Sequence, residues 1–418
     1  MPRDGQPQNV ASDTVWKVLG YGIPEAPILL AAVLYTHSRS LQESLAPIIP
    51  FYPYGIFAAG VLLAWRFHRS RLLFALLLLT LADRAVAYSV AGPGPGRDHV
   101  VFQAAALLLP LNLAALPLTA ERGFLTPPGL ARLALILGQV ALVVMLDRVA
   151  PSATAAVLHA GLLPHRFVAW TGLADPALLG FFVVGGLVIA SQLVAPTQTG
   201  RSFSWALLPT FLGLSSVSPG SAGFATFYFA TAALMLIVAV VEASYYMAYQ
   251  DSLTALPARR ALNEAMLRLG GQYSVAMIDV DRFKRINDEH GHDVGDQVLR
   301  MIAGRLAQVG GGGKAYRYGG EEFAVIFPGK TAKECLPDLE ALRQAVEDTR
   351  FILRRRFRSK RKPEKVVTNK GPGQRVPVTI SIGVAEKSER HTQPDLVVQA
   401  ADRALYRAKD GGRNQVQS

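Results

Sequence analysis

Apolar residues are distributed unevenly along the chain, and their pattern divides it into two parts. Up to about residue 245, long apolar stretches are separated by short turn-rich breaks, of which residues 92–96 are an example. About eight of these stretches are long enough, or nearly so, to cross a bilayer as helices. The predicted spans are residues 15–36, 46–65, 72–91, 100–119, 130–150, 176–194, 203–217 and 223–241, of which the first and seventh are the weakest. Because soluble proteins rarely contain such a series, the pattern favours a polytopic α-helical membrane domain.

After about residue 250 the pattern changes to short strands and amphipathic helices. Residues 376–385 are predicted to form one buried strand. Three helices are predicted from apolar residues at helical spacing: Val294, Val298, Leu299, Ile302 and Leu306; Leu336, Leu339, Leu342 and Val346; and Leu396, Ala400, Ala404, Leu405 and Ala408. Alternating strands and helices predict an α/β layer.

A glycine pair followed by two carboxylates, residues 319–322, lies between the apolar stretches 315–318 and 324–327. Two short strands joined by a tight Gly-Gly turn form a β-hairpin. Glu321 and Glu322 at its tip are suited to holding a metal ion or accepting a proton, and a solvated acidic turn is the alternative.

These patterns predict three regions. Residues 1–241 are a multi-pass transmembrane region with a sensor role, residues 242–256 are a connecting helix, and residues 251–418 are a soluble domain. Neither glycine nor proline interrupts residues 230–256, so one helix is expected to continue from the last span into the soluble domain. It either transmits rotation or dimer geometry, or acts as a passive tether.

Composition adds a few constraints. The net charge of +12 suits contact with an anionic inner leaflet or with phosphates. The single cysteine, Cys335, excludes an intramolecular disulfide and is expected to be a buried thiol. No cleavable signal peptide is expected, because the first 14 residues are polar.

Charges near the spans give a weak orientation signal. With an even number of spans and a cytoplasmic C-terminus, six arginines lie inside (Arg66, Arg69, Arg71, Arg122, Arg132 and Arg201) and four outside (Arg39, Arg97, Arg148 and Arg166). Several ionisable residues in or near the spans either have a function, or extend to the membrane interface or pair with each other: Asp83, Arg84, Asp147, Arg148 and Glu242. The outer loop 151–175 either binds a signal or lies on the surface.

Five motifs of the soluble part together resemble the GGDEF family of diguanylate cyclases. They are the opening Asp-Ser-Leu-Thr-Ala-Leu-Pro-Ala-Arg-Arg at 251–260, the segments 274–288 and 291–296, the Gly-Gly-Glu-Glu-Phe hairpin at 319–323, and the closing segment 404–414. Ala255 and Ala258 replace the usual glycine and asparagine of the opening motif. The resemblance runs from about Asp251 to Asn414 and implies a nucleotidyl-cyclase-like fold after the membrane domain.

The resemblance implies the condensation of two GTP molecules into cyclic di-GMP with Mg²⁺, Mn²⁺ being the alternative. The implied metal ligands are the carboxylates of Asp279 and Glu321 and the backbone carbonyl of Val280. Glu321 is the implied base for the ribose 3′-hydroxyl, and Glu322 is close enough to orient that hydroxyl or a second metal; which of the two glutamates has which role stays open. Lys284 is placed to stabilise charge on the phosphates.

The remaining implied residues bind the nucleotide. Asn287 and Asp296 resemble the residues that read guanine, and Phe283 is expected to be a wall of the pocket. His292 either contacts substrate or packs. Lys409 and Arg413 are expected to bind phosphates, with helix capping as the alternative.

Two departures from the family pattern affect regulation and partners. Gly310 and Gly313 occupy the positions of the family's inhibitory R-x-x-D motif, so product feedback through that site is expected to be absent. The basic insertion from Arg354 to Lys362 is a solvated loop or contacts anionic lipid, and no nucleic-acid partner is expected.

Three functions fit these features. The first is an active diguanylate cyclase in a bacterial-type inner membrane, working as a homodimer with its catalytic domain in the cytoplasm. The second is a degenerate module that binds nucleotide without turnover, and the third is a transporter regulated by the soluble domain. The complete set of implied catalytic and binding residues favours the active cyclase.

Overall fold

The computed structural model describes residues 24–91, 99–164, 171–195, 197–217, 222–349, 351–352 and 375–418. The chain forms two compact units, Met1–Ala243 and Ser244–Ser418. The basic insertion from Arg354 to Lys362 lies outside the described residues, as do residues 165–170 of the predicted outer loop.

The described part of the first unit is helical. Its α-helices are α1 (Glu25–His37), α2 (Arg39–Leu45), α3 (Tyr52–Arg66), α4 (Ser70–Ala91), α5 (Val100–Leu118), α6 (Pro127–Val149), α7 (Pro151–Leu158), α8 (Asp175–Val194), α9 (Gln198–Ser215) and α10 (Ala222–Tyr249), with a 3-10 turn at Ile49–Phe51. Five of them, α4, α5, α6, α8 and α10, are long and apolar enough to cross a membrane. A sixth span is possible if α2 and Ile49–Arg66, which are bent by 76°, count as one.

These helices coincide with most of the predicted spans. The start of the first predicted span lies outside the described residues, and α1 begins at Glu25. Helix α9 covers the seventh predicted span but is not among the five helices that meet the criteria for length and hydropathy. The count of eight therefore stays a prediction.

The second unit is an α/β domain. Its helices are α11 (Arg259–Leu267), α12 (Phe283–His290), α13 (His292–Leu306), α14 (Ala332–Glu347) and α15 (Pro394–Asp410), and its strands are β1 (Tyr273–Val280), β2 (Lys314–Arg317), β3 (Glu322–Pro328), β4 (Phe351–Ile352), β5 (Arg375–Val376), β6 (Ile380–Glu386) and β7 (Val416–Gln417). The three predicted amphipathic helices are confirmed as α13, α14 and α15.

Five strands form one sheet in the order β2-β3-β1-β6-β7, and β4 and β5 form a separate pair. The pairs β2–β3, β3–β1 and β1–β6 are antiparallel, and β6–β7 is parallel. Strand β1 is buried along its whole length because its two faces belong to different cores. Ala276, Ile278 and Val280 pack with α13 and α14, whereas Val275 and Met277 pack with α11 and α15.

The sequence-based prediction for residues 376–385 is wrong in one respect. The structure has two strands there, β5 ending at Val376 and β6 beginning at Ile380. Pro377 lies between them and has no backbone N–H to donate to a sheet, so one continuous central strand does not form.

The connecting helix also ends earlier than residue 256. Helix α10 stops at Tyr249, and the Asp251 carboxylate accepts hydrogen bonds from the Thr254 backbone N–H at 2.9 Å and hydroxyl at 2.6 Å. Such a side-chain turn competes with helix formation. Ala255, one of the two departures from the family pattern, follows it with a positive φ of 59°.

Candidate active site

The candidate site lies where β1 ends beside the β2–β3 hairpin. The antiparallel register places Asp279 opposite Glu322 of β3 and opposite Ser381 of β6. Because side chains alternate along a strand, Asp279 is on the same face of β1 as Val275 and Met277, the face that packs on α15. The strand pairing thus brings two motifs that are distant in sequence to one edge of the sheet.

Asp279 is a buried carboxylate with a single strong cationic neighbour. It is 5% exposed, and the Lys409 Nζ lies 2.8 Å from its Oδ2. Burial raises the pKa of Asp279, and Lys409 opposes that increase by favouring the charged form. Arg413 opposes it as well, and both residues come from the closing motif. The structure therefore brings together the predicted metal ligand and the two predicted phosphate-binding cations.

Glu321 lies in the tight turn before β3, next to Asp279. Its backbone carbonyl accepts a hydrogen bond from the Val280 N–H at 3.3 Å, which ties the turn to the end of β1. Burial raises the pKa of Glu321, and the nearby Asp279 carboxylate raises it further. The two carboxylates are close enough to repel each other, which is the electrostatic setting that a bound cation relieves.

Glycines allow Glu322 to fold back over the turn. A Cβ added at Gly319 would lie 2.9 Å from the Glu322 Oε2, so any other residue there would displace this carboxylate. The Tyr318 and Gly319 N–H groups both donate to the Glu322 carbonyl, at 2.9 and 3.1 Å. The predicted hairpin is therefore confirmed, with Glu321 in its turn and Glu322 as the first residue of β3.

Arg317 at the end of β2 holds the turn and was not among the predicted site residues. Its Nε donates to the Gly319 carbonyl at 2.5 Å and its Nη2 donates to the Gly320 carbonyl. The guanidinium also stacks on Phe323, 4.8 Å from the ring centroid, and its Nη1 is 3.9 Å from the Asp251 Oδ1. Burial lowers the pKa of Arg317, while Asp251 and Asp296 favour its charged form. The arginine two residues before the glycine pair was the available sequence signal.

Asp281 was not among the predicted site residues, and its hydrogen bonds give it a structural role. Its carboxylate accepts hydrogen bonds from the hydroxyls of Thr379 at 2.8 Å and Ser381 at 2.6 Å, and from the backbone N–H of Asn414 at 3.0 Å. These bonds join the end of β1 to β6 and to the segment that follows α15. Asp281 thereby fixes the chain that carries Arg413, the residue before Asn414.

Asn287 and Phe283 lie on α12, which begins shortly after β1 ends at Val280. Phe283 is buried, and the Asn287 Oδ1 is buried without a hydrogen-bond partner among the described residues. A Cβ added at Gly295 would lie 2.0 Å from that oxygen and 3.1 Å from the Phe283 ring. The absence of a side chain at Gly295 therefore leaves the space that the Asn287 amide occupies.

The other predicted residues surround this region with different exposures. Lys284 on α12 and His292 at the start of α13 are exposed, and their side chains make no hydrogen bond or ion pair within the described ranges. Asp296 is half-buried and close enough to Arg317 to influence its pKa. Arg413 is exposed, with a positive φ of 67° that lets its N–H donate to the Ala408 carbonyl.

The donor set suits a hard divalent cation. Among the described residues no group of three or more histidine, cysteine, aspartate or glutamate side chains could hold a metal. A site built from Asp279 and Glu321 would therefore have two carboxylates, completed by backbone, water or phosphate oxygens, which is the pattern Mg²⁺ prefers. The negative charge of Asp279 raises the pKa of Glu321, as expected for two carboxylates close enough to bind one cation.

Comparisons with known proteins agree with this geometry. The family model described as "Diguanylate cyclase, GGDEF domain" matches residues 248–415. Diguanylate cyclase VdcA of Vibrio cholerae is 40% identical over 171 residues, covering 40% of this chain and 45% of the relative. Response regulator PleD of Caulobacter vibrioides is 35% identical over 184 residues, covering 42% and 37%. The chain thus spans less than half the length of these curated relatives.

Among solved structures, the coiled coil and GGDEF domain of DgcB from Caulobacter crescentus, in complex with c-di-GMP, is 32% identical. The match covers 43% of this chain and 91% of that chain, with a TM-score of 0.37. The match to the family model confirms the resemblance noted from the motifs, and residues 248–415 of this chain form a domain of the GGDEF family.

Proposed function

We propose that this chain is a membrane-bound diguanylate cyclase that joins two GTP molecules into cyclic di-GMP and releases two pyrophosphates. The observation that carries the proposal is the buried Asp279, coupled to Glu321 and in contact with Lys409 at one edge of the sheet. One of the matched relatives, VdcA of Vibrio cholerae, is a diguanylate cyclase, which supports the same reaction.

Each half-reaction forms one phosphorus–oxygen bond and breaks another. The 3′ oxygen of one GTP attacks the α-phosphorus of the other, and the bond to the β-phosphate oxygen breaks, so that pyrophosphate leaves. The 3′-hydroxyl proton passes to Glu321 or to Glu322. The reciprocal attack closes the ring.

Asp279, Glu321 and the Val280 carbonyl would hold Mg²⁺, with Mn²⁺ as the alternative. The bound cation supplies neutralisation of the triphosphate charge. Lys409 forms an ion pair with Asp279 at 2.8 Å. A phosphate that binds here would accept the contact of Lys409 in place of Asp279. Lys284 and Arg413 add positive charge around the same triphosphate.

The guanine is read beside α12. The unpartnered Asn287 Oδ1 accepts from the base, and the half-buried Asp296 accepts from its donors. Phe283 forms the apolar wall, and His292 lies at the exposed rim. An empty hydrogen-bonding position on a partly buried amide favours a ligand over packing.

The rest of the proposal concerns the setting of the enzyme. The five apolar helices anchor it in a bacterial-type inner membrane with the GGDEF domain in the cytoplasm, where GTP is found. Two protomers each present one GTP, and a signal at the membrane region regulates the rate. Gly310 and Gly313 replace the R-x-x-D residues, so added cyclic di-GMP does not lower the initial rate through that site. The basic insertion contacts anionic lipid.

The test is product formation by the detergent-purified full-length protein incubated with GTP and Mg²⁺. We expect cyclic di-GMP from the wild type and none from a Glu321→Ala, Glu322→Ala double variant that still elutes as folded protein. Tight GTP binding without product by the wild type, even when two copies are held together by a fused dimerisation segment, would favour the receptor function instead.

A further inference from the structure

A cavity of about 330 Å³ lies in the first unit between helices α4, α5 and α6. It exists because α6 packs loosely: of its residues only Gly129 and Ile136 are buried. Small side chains on the facing helices, such as Ala85 and Ala105, leave the space between them unfilled. A volume at the lower end of the range for small-molecule pockets makes this a candidate binding site.

The walls are apolar along most of their length, and the inner end is closed by a polar pair. The Asn112 Nδ2 donates to the Gln139 Oε1 at 2.9 Å and to the Leu108 carbonyl at 2.9 Å. Both Asn112 amide protons are thereby satisfied. The Gln139 Nε2 and the Asn112 Oδ1 have no hydrogen bond among the described residues, so this end stays polar, and an apolar chain fits along the walls between the two ends.

Charged side chains gather at the other end of the cavity. Arg84 near the end of α4 and Asp147 and Arg148 near the end of α6 line it. The lining runs from Ile136 to Arg148, a rise of about 18 Å along the helix. The cavity is thus amphipathic along its axis, with apolar walls and a charged mouth.

The formal charges at the mouth balance, with Arg84 and Arg148 against Asp83 and Asp147, but the two arginines differ in their partners. Arg84 Nε donates to Asp83 at 3.2 Å, and the Asp147 Oδ1 lies 3.7 Å from the His99 Nδ1. Arg148 makes no ion pair or hydrogen bond among the residues that the structure describes, and it is exposed. Arg148 is therefore the one guanidinium lining the mouth that no ion pair among the described residues engages.

We propose that this cavity binds a free medium-chain alkyl carboxylate, with its chain along the apolar walls and its carboxylate at Arg148. At about 330 Å³ the cavity lies at the lower end of the range for ligand pockets, which suits one chain of medium length. A guanidinium at the mouth selects a carboxylate over a neutral head group.

This inference names a ligand class for the membrane region and does not depend on turnover by the GGDEF domain. Its test is equilibrium binding of radiolabelled decanoate to the full-length protein in nanodiscs of zwitterionic lipid. We expect saturable binding of one decanoate per chain. Failure of this binding would leave the cyclase proposal intact, because the assay contains no nucleotide.

Variants test the two ends of the site. Ala105→Phe fills the cavity and should abolish decanoate binding, whereas Leu111→Phe, on the exposed face of the same helix, should leave it unchanged. Arg148→Gln should weaken binding at least tenfold, whereas Arg122→Gln, which removes an equal charge outside the cavity, should not. The neutral analogue 1-decanol should bind the wild type at least tenfold more weakly than decanoate.

Three results would overturn the proposal. Decanoate binding that survives Ala105→Phe would place the ligand elsewhere, and equal affinities for decanol and decanoate would remove the role of Arg148. The third is a co-purified phospholipid, detected by native mass spectrometry in the wild type and lost in Ala105→Phe, which would show that membrane lipid occupies the cavity.

Discussion

Single buried charges determine the geometry of the candidate site. Arg317 is 8% exposed, and its guanidinium fork reaches two carbonyl groups of the glycine turn at once. A turn of two glycines is flexible by itself, so an external clamp is needed to keep Glu321 beside Asp279. Arg317 is in this sense a positioning residue.

Replacing Arg317 with lysine keeps the charge but removes the planar fork. We expect the Arg317→Lys variant to lower kcat by about 10–100-fold, because small displacements of reacting groups are costly. KM for GTP should change much less, since Asn287 and Asp296 lie outside the turn. Steady-state kinetics of the full-length protein would measure both. Arg268→Lys is the matched control, because Arg268 is 82% exposed in a pair with Glu264; equal kcat values in both variants would contradict the role of Arg317.

Cys335 is a neutral side chain whose pKa is changed by burial. The thiol is buried on α14 and donates to the Thr331 carbonyl at 3.1 Å, and burial raises its pKa to about 11. The folded protein should therefore react with a thiol-specific disulfide reagent at pH 8 only as fast as it unfolds. Because the folded pKa lies above the ordinary value of 9.0, this thiol stabilises the fold fully below pH 9, and the contribution is lost as the pH rises toward 11. Rapid labelling of Cys335 at pH 8 without denaturant would contradict the burial of this thiol.

At the scale of elements, the contact between α15 and the sheet depends on one glycine. A Cβ added at Gly383 of β6 would lie 2.0 Å from the Leu405 nitrogen and 2.3 Å from the Ala401 carbonyl oxygen of α15. Both are backbone atoms, so the helix itself would have to move. Helix α15 carries Lys409, so its position also sets the contact with Asp279.

The Gly383→Ala variant should therefore be destabilised by more than about 2 kcal/mol, measured by denaturant unfolding of the GGDEF domain followed by tyrosine fluorescence. The control is Gly304→Ala on α13, where an added Cβ meets nothing within 4 Å. Alanine favours a helix over glycine, so this variant should be stabilised by about 0.5–1 kcal/mol. Equal stabilities for the two variants would show that α15 does not pack closely on β6.

The sequence was informative about elements that follow simple periodicity. Helices α13, α14 and α15 follow from helical apolar patterns, the hairpin follows from a glycine pair between two apolar stretches, and the motifs located Asp279 and Glu321. It failed where one residue overrides the pattern. Pro377 splits the predicted strand, and the Asp251 turn ends α10 at Tyr249. The role of Arg317 depends on hydrogen bonds to carbonyls of a turn, which no periodicity reveals.

At the scale of the whole molecule, charged side chains also connect the helices of the first unit. In the first unit Arg201 of α9 lies between two carboxylates, with its Nε 3.6 Å from Glu25 of α1 and its Nη2 3.1 Å from Glu242 of α10. Glu25 is fully buried and also accepts from the Ser202 hydroxyl at 3.0 Å. The arginine thereby joins three helices, including the one that leads toward the GGDEF domain.

Removing Arg201 would leave Glu25 buried beside Glu242 without its cation. We expect Arg201→Ala to destabilise the protein by about 3–5 kcal/mol, the usual effect of breaking a buried ion pair. The thermal unfolding midpoint of the full-length protein in nanodiscs measures this, with Arg39→Ala as the control because Arg39 is exposed. Partial recovery is expected in a Glu25→Gln, Arg201→Ala double variant. An unchanged midpoint in Arg201→Ala would show that the ion pairs do not hold the helices together.

The most direct test of the central claim compares cyclic di-GMP formation by the wild type and by Asp279→Asn at saturating GTP and Mg²⁺. Asparagine preserves the shape of the side chain and removes the charge that Lys409 and the metal require. We predict a loss of about 10²–10³-fold in rate. The variant should elute from a size-exclusion column at the same volume as the wild type, which shows that it is folded. A variant that forms cyclic di-GMP within about threefold of the wild-type rate, far from the predicted loss, would contradict the assignment of this site.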